Sequence, residues 1–217
     1  HHSANLALTA LDAPAGEYAF EVELENLAGH KFPTGYPSRL TCLEFELRDT
    51  LGNELFHSGA WSPEEGIAGR DLPFEQHYNE ITSDDQVQIY EMVFADLSGS
   101  ASTVLDQASS VLKDNRLAPS GFSTEHMSYD TAAFGPAAAL DADFNRFADG
   151  TEGSGTDRLV YRITPGGYFG EVIAEVTLHY LALPARWVED MFGYAADHEA
   201  IADFQEMFNA ADRTPVE

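Results

Sequence analysis

Cysteine is almost absent from this chain: Cys42 is the single one in 217 residues. That excludes an internal disulfide framework, and it excludes the paired thiols of a Cys-x-x-Cys-His haem attachment. Positive charge is nearly as scarce. Eleven Lys and Arg stand against 37 Asp and Glu, for a formal net charge of −26, and Lys31 and Lys113 are the only lysines. A field of that sign repels phosphate backbones and anionic lipid, so nucleic acid and an anionic membrane surface are excluded as partners. It favours cations, basic proteins and solubility. Long apolar runs are missing too. Nothing approaches the roughly 18 apolar residues of a membrane-crossing helix, so no membrane insertion is expected. No signal peptide pattern is visible, and the opening His1-His2-Ser3 reads as a processed or excised product with His1 and His2 left from a purification tag.

What is present suffices for a core, with 44% hydrophobic and 12% aromatic residues, which argues against disorder. Tyr18 to Asn26 alternates cleanly, Tyr18, Phe20, Val22 and Leu24 against Glu21, Glu23 and Glu25. Period two with one charged face means a half-buried, antiparallel strand. Thr41 to Asp49 repeats this, with Leu43, Phe45 and Leu47 inward, which turns Cys42 toward a second layer or a helix. Asp49 to Asn53 reads as a turn into Glu54 to His57. Further strands are predicted at Gln86–Phe94, Arg158–Ile163 and Glu171–Leu181. The spacing of Val104, Leu105, Ala108, Val111 and Leu112 predicts a helix over Thr103–Leu112, capped by Ser102 or Thr103. After Pro184, Trp187, Met191 and Tyr194 stripe one short helix. Asp197 caps a second, carrying Ile201, Phe204, Met207, Phe208 and Ala211, and both stripes are expected to face the core. The expected fold is therefore mainly β. It is an antiparallel β-sandwich over residues 4–183 with one inserted helix, and a helical C-terminal pair over 184–217 packed on it, the whole 1–217 forming one domain.

Two loop-like segments stand out, Gly29-His30-Lys31-Phe32-Pro33-Thr34-Gly35-Tyr36-Pro37-Ser38-Arg39 and Lys113-Asp114-Asn115-Arg116-Leu117-Ala118-Pro119-Ser120-Gly121-Phe122. Others fall into order with them: Asn26, Asp49 with Gly52, Ser58-Gly59, His77 with Ile81, Gln86 to Glu91, Asp141 to Phe144, and Asp157 to Tyr161. Over residues 4 to 181 this pattern resembles the β-rich domain at the C-terminal end of many multihaem c-type cytochromes. The resemblance implies a periplasmic, extracellular or cell-surface setting, an association with respiratory electron transfer, and a haem domain or cytochrome as partner. Two departures matter. The haem-attachment motif is missing, so no covalent haem is expected in this chain, and no haem domain lies upstream within it.

Histidine is the first candidate for chemistry, since neutral imidazole ligates copper, zinc or iron. His30, His77 and His126 all fall on expected loops, where sites collect. His77 and His126, with His30 as a third donor, are the residues expected to hold one copper ion if the chain binds it. No ligand-type spacing joins them, and a hydrogen-bonding role within the fold is the competing reading for each. Asp141, Asp143, Asn145, Phe147, Asp149 and Glu152 have the stagger of an oxygen-ligand calcium loop. Arg146, however, stands where the sharp turn calls for Gly, so the expectation is an exposed acidic loop, with a looser calcium site as the alternative. Ser128, His126 and Asp130 lack the Gly-x-Ser-x-Gly elbow of a hydrolase, and no enzyme activity follows. The reading of the whole is a non-catalytic accessory or binding β-domain of a multihaem-cytochrome-like electron-transfer protein. The alternative is a secreted or surface-associated mononuclear copper-binding protein using histidine ligands.

Overall fold

The computed structural model describes residues 2–63, 66–69, 74–125 and 134–217. Among them run thirteen strands: β1 (Ala4–Leu11), β2 (Tyr18–Asn26), β3 (Leu40–Asp49), β4 (Glu54–Ser58), β5 (Trp61–Ser62), β6 (Gly66–Ile67), β7 (Glu80–Ile81), β8 (Ile89–Tyr90), β9 (Met92–Ala95), β10 (Ala101–Ser102), β11 (Ser110–Asp114), β12 (Thr156–Ile163) and β13 (Val172–Leu181). Three α-helices accompany them, α1 (Pro136–Leu140), α2 (Arg186–Phe192) and α3 (Glu199–Ala210). The protein is mainly β, as its alternating segments require.

Two sheets carry the core. One has the order β1-β2-β12-β7, the other β13-β3-β4 with β8 also paired to β3. All of these pairings are antiparallel except β12 with β7, which is parallel. The charged faces of β2 and β3 turn outward, and their apolar faces meet across the sandwich. Phe45 of β3 stacks on Tyr161 of β12 with centroids 4.1 Å apart and also touches Phe20 of β2. Leu24, Leu43, Leu47 and Leu159 fill the space around them and are wholly buried. The opposite face of β3 starts a second, smaller core in which Cys42 packs with Leu40, Ile67, Val87 and Ile89. Cys42 thus faces a second layer, as its alternation with Leu43 predicts. The turn between β3 and β4 also follows the sequence: Asp49 Oδ1 accepts the amides of Leu51 and Asn53, both at 2.8 Å.

Three expectations need correction. Thr103–Leu112 is not an α-helix. It holds a 3₁₀ turn, Leu105–Gln107, and then β11, which pairs with β9. Val104 and Leu105 remain exposed, so the apolar spacing meets no core. The two serines and β-branched Val111 give way to a ladder that buries Lys113 and Asp114 beyond them. The inserted helix is instead the five-residue α1, which follows Gly135 and has Pro136 at its first turn. Gln86–Phe94 is not one strand. Gln86 caps a turn through Oε1, accepting the amides of Thr82 at 2.7 Å and Ser83 at 3.1 Å. The chain then changes partners at Glu91, β8 lying on β3 and β9 on β11. Glu91 is buried there, with Lys113 Nζ at 3.2 Å and Arg186 Nη2 of α2 at 3.3 Å. The C-terminal helices form where their stripes place them, but Tyr194 and Met207 are exposed. Phe192, Phe204 and Phe208 cluster instead, and α3 begins after His198 rather than at Asp197. The edge strand β1 carries no clean alternation, because alanines and leucines share both of its faces.

Candidate functional site

The two unusual loops of the sequence lie against each other. Phe32 and Leu117 exchange both backbone hydrogen bonds, each 2.8 Å. The Asn26 side chain closes the joint by donating to the carbonyls of His30 at 2.8 Å and Leu117 at 3.0 Å. Lys31 reaches Asp114 at 2.8 Å, and Arg116 holds the same carboxylate with Nε at 2.9 Å and Nη2 at 2.8 Å. Glycine is required nearby. Gly155 has φ +71, and a Cβ there would meet the Ser120 amide nitrogen at 2.8 Å.

Beside this joint, five segments bring six buried polar side chains to one place. His77 comes from the loop before β7, Gln88 from just before β8, Tyr90 from β8, Asn115 from just after β11, Asp141 from the end of α1, and Asp157 from β12. His77 Nε2 meets Asp141 Oδ2 at 2.9 Å, and both side chains are 1% exposed. His77 Nδ1 faces two amide nitrogens, Gln88 Nε2 at 3.0 Å and Asn115 Nδ2 at 3.1 Å. Neither amide is free to turn. Gln88 Oε1 accepts the Tyr78 amide, and Asn115 Oδ1 accepts the Glu91 amide. The network therefore requires the imidazole proton on Nε2, donated to Asp141, and the lone pair on Nδ1. Phe144 packs edge-on against the ring, centroids 5.4 Å apart.

The acids here are poised differently. Asp157 accepts the Tyr90 hydroxyl at 2.7 Å on Oδ2, while its buried Oδ1 has no partner. Burial raises its carboxyl to about 7, against partial relief from His77 and Tyr90, with the charges of Asp141 and Asp143 adding to the rise. Burial also pushes Asp141 upward, but the hydrogen bonds from His77 and the Asp143 amide outweigh it and hold Asp141 low. Asp143 is raised to about 6 by burial and by the neighbouring Asp141 charge.

The ligand atoms of His77, Asp141 and Asp157 lie within 4.8 Å of one another. One residue of the copper set and one of the calcium set thus meet, joined by an acid that neither pattern includes. The fit to a metal is poor. The His77 lone pair is taken by two amides, its other nitrogen is committed to Asp141, and no part of the ring is open to an arriving ion. Among the described residues, both nitrogens of the His77 ring are engaged and the His77–Asp141 pair is nearly closed to solvent. What the arrangement does is pin five segments in one geometry, and its carboxylates and amides are placed for that.

The other predicted site residues lie apart. His30 is exposed, with Nδ1 3.2 Å from the Lys31 carbonyl, and borders a cleft with Phe32, Thr34 and Tyr180. His126 lies outside the described residues, with Ser128 and Asp130. Within the acidic loop each side chain has its own task. Asn145 stands at φ +56, donates to the Phe122 carbonyl and accepts the Gly155 amide. Asp149 receives the Thr151 hydroxyl, and Glu152 receives the Thr124 amide and the Ser123 hydroxyl. The loop carboxylates do not gather around one point among the described residues. Gln88, Asn115, Tyr90 and Asp157 escape sequence reasoning because amides and tyrosines on strands look like ordinary polar positions. The signal that could have found Asn115 and Asp157 is their place inside the unusual segments.

The fold and site together define a β-rich sandwich stabilised by a buried polar joint. No family model and no curated protein matches the chain. Among solved structures, it is similar to a penta-haem cytochrome c552 from Thermochromatium tepidum, with a TM-score of 0.51 and 21% sequence identity. The similarity covers 87% of this chain and 34% of that one, so the chain spans about a third of that cytochrome's length. At this identity the likeness is one of fold. Among the described residues, no helix is long and apolar enough to cross a membrane.

Proposed function

We propose that this chain is a non-catalytic accessory β-domain of a multihaem-cytochrome-like electron-transfer protein, working in the periplasm or at the cell surface by docking a haem-bearing partner. The observation that carries the reading is the fold likeness over nearly the whole chain to part of a penta-haem cytochrome. The buried joint supports it, since the segments that resemble the cytochrome domain hold the sandwich together. The surplus of acid supports a docking role, because such a surface attracts basic partners over a range set by ionic strength.

The test is capture from a periplasmic extract with the immobilised chain, followed by haem staining and mass identification of what is retained. A c-type cytochrome released by raised salt is the expected result. Retention of haem-free proteins alone, or of nothing at low salt, would overturn the reading.

A further inference from the structure

The sandwich is open along one side. β1 ends one sheet and β13 ends the other, and a cleft of about 610 Å³ lies between them. Ala4, Leu6, Val176, Leu178 and Tyr180 line it, with Phe32 from the first unusual loop. The core-facing Leu6, Leu8, Val172, Ala174, Val176 and Leu178 are only partly buried, whereas Leu24, Leu43 and Leu47, one strand further in, are wholly covered. β13 is ten residues long and β1 eight, and neither carries a Lys, a Pro or an inward-pointing charge. Those are the devices that ordinarily blunt an exposed edge. The opposite ends of the two sheets are short by comparison, β7 having two residues and β4 five.

One position of the β13 edge is already taken. The Tyr180 amide donates to the Val216 carbonyl at 2.8 Å, and the Val216 amide donates back at 3.1 Å, an antiparallel bridge to an extended tail. Backbone bonding alternates along a strand, so Ala174, Val176 and Leu178 point their N–H and C=O groups the same way as Tyr180. Glu175 and Thr177 face β3 instead. Among the described residues, nothing pairs with Ala174, Val176 or Leu178 on the outer side.

We propose that this edge docks an extended segment of a partner protein in which apolar and basic residues alternate, added antiparallel to β13 alongside residues 174–178. Strand addition of this kind takes affinity from main-chain hydrogen bonds and specificity from alternate side chains. Hydrogen-bonded partners in an antiparallel ladder send their side chains to one face. Tyr180 and Val216 obey this, since both line the cleft. The apolar residues of the incoming strand therefore bond to Ala174, Val176 and Leu178 and fill the cleft, covering the flank of the core. Its basic residues point outward, opposite the exposed Glu175. Charge selects that partner. Glu175 stands directly opposite Glu46 in the register, and Arg48 pairs with Glu46, which leaves Glu175 for a cation of the partner. On the other sheet, Glu21, Glu23 and Glu25 of β2 flank β1. A second copy is disfavoured, because each copy brings a net charge of −26. The edge is independent of the cytochrome partner proposed above and requires no haem.

The experiment titrates the full chain with capped peptides alternating Val and Lys over the ten-residue length of β13, read by fluorescence anisotropy and amide hydrogen exchange. One peptide is expected to bind per chain. N-methylation of its Val amides, which face β13, should weaken binding by more than about 30-fold, and N-methylation of its Lys amides by less than about 3-fold. Bound peptide should slow exchange at Ala174, Val176 and Leu178 by about tenfold or more, and leave Glu175 and Thr177 unchanged. Val176→Pro removes an edge-facing N–H without touching the ladder to β3, and should weaken binding by about tenfold. Glu175→Lys should weaken it by about 3- to 10-fold. If Val176→Pro does not fold, the two N-methylated peptides decide. Absence of saturable binding, or equal binding of the two N-methylated forms, would overturn the site. Equal binding of a Val–Glu peptide would overturn the basic character of the partner. A dimer of the chain alone that Val176→Pro abolishes would make a second copy the occupant and overturn the assignment to a partner.

Discussion

Asn26 reaches across the sheet end to the Leu117 carbonyl at 3.0 Å, and with its second amide hydrogen holds the His30 carbonyl at 2.8 Å. One side chain thereby fastens both unusual loops, and its Oδ1 accepts the Ala28 amide at 2.8 Å as well.

Asn26→Ala removes the donor from two carbonyls, one of them buried. Each unmade buried hydrogen bond costs about 1–3 kcal/mol, so a loss of roughly 2–4 kcal/mol is expected in urea unfolding. Asn26→Asp should cost at least as much, since it sets a carboxylate against two carbonyl oxygens. Stability within about 0.5 kcal/mol of the parent for both variants would refute the fastening role.

Asp157 makes a pH prediction. Its folded value, about 7, lies above the ordinary carboxyl value of 3.8. A carboxyl that holds its proton more tightly when folded favours the folded state fully below the unfolded value. That stability is lost as pH rises through the folded value. The window is thus pH 4 to 7, and the contribution at stake is roughly 4 kcal/mol. Asp157→Asn should abolish this part of the decline, so that parent and variant diverge progressively from pH 4 to 7. Parallel stability profiles across that range would count against the assignment.

The sandwich core offers a paired test. Phe45 stacks on Tyr161, and the Tyr161 hydroxyl is buried without a partner. Phe45→Ala should cost about 3–5 kcal/mol by leaving a cavity between the sheets. Tyr161→Phe should be neutral or stabilise by about 1 kcal/mol, because it deletes an unsatisfied polar atom. Destabilisation by Tyr161→Phe would show that the hydroxyl has a partner such as water.

Cys42 should be inert in the folded protein. It is fully buried in the second core, and burial, with lesser contributions from Glu44 and Glu91, pushes its thiol far above the ordinary range. Reaction with an aromatic disulfide reagent should follow the rate of unfolding and become stoichiometric only in denaturant. Fast, native-state labelling would contradict its placement.

The long strands were legible because each turns one apolar face to the sandwich core along most of its length. β2 matches its predicted span, Tyr18–Asn26, and β3, β12 and β13 differ from theirs by a few residues at one end. Alternation fails where both faces are used differently. Gln88 and Tyr90 send polar groups inward, so Gln86–Phe94 reads as one amphipathic strand although it is a turn and two short ladders. Thr103–Leu112 shows the reverse failure, a helical spacing that finds no surface to pack against. Of the candidate site, His77 and Asp141 could be named from sequence, but not their contact. They are far apart in the chain, and only the closure of the sandwich brings α1 beside the loop before β7. The shared contact of His57 and His179 with Glu44 is likewise hidden, because register across β3 is invisible without the sheet.

Glu91 carries a consequence for how the tail can be altered. Its carboxylate lies where the chain passes from one sheet to the next, and it balances a cation from β11 and another from α2. Composition changes at Pro184 as though a removable segment began there, yet the second oxygen of the buried Glu91 carboxylate has its cation contact only when Arg186 is included. Trimming or grafting at that boundary should therefore preserve Arg186 and its helical turn. A cut just before it would strip one partner from a buried carboxylate, and that loss would be felt in the middle of the β-structure rather than at its end.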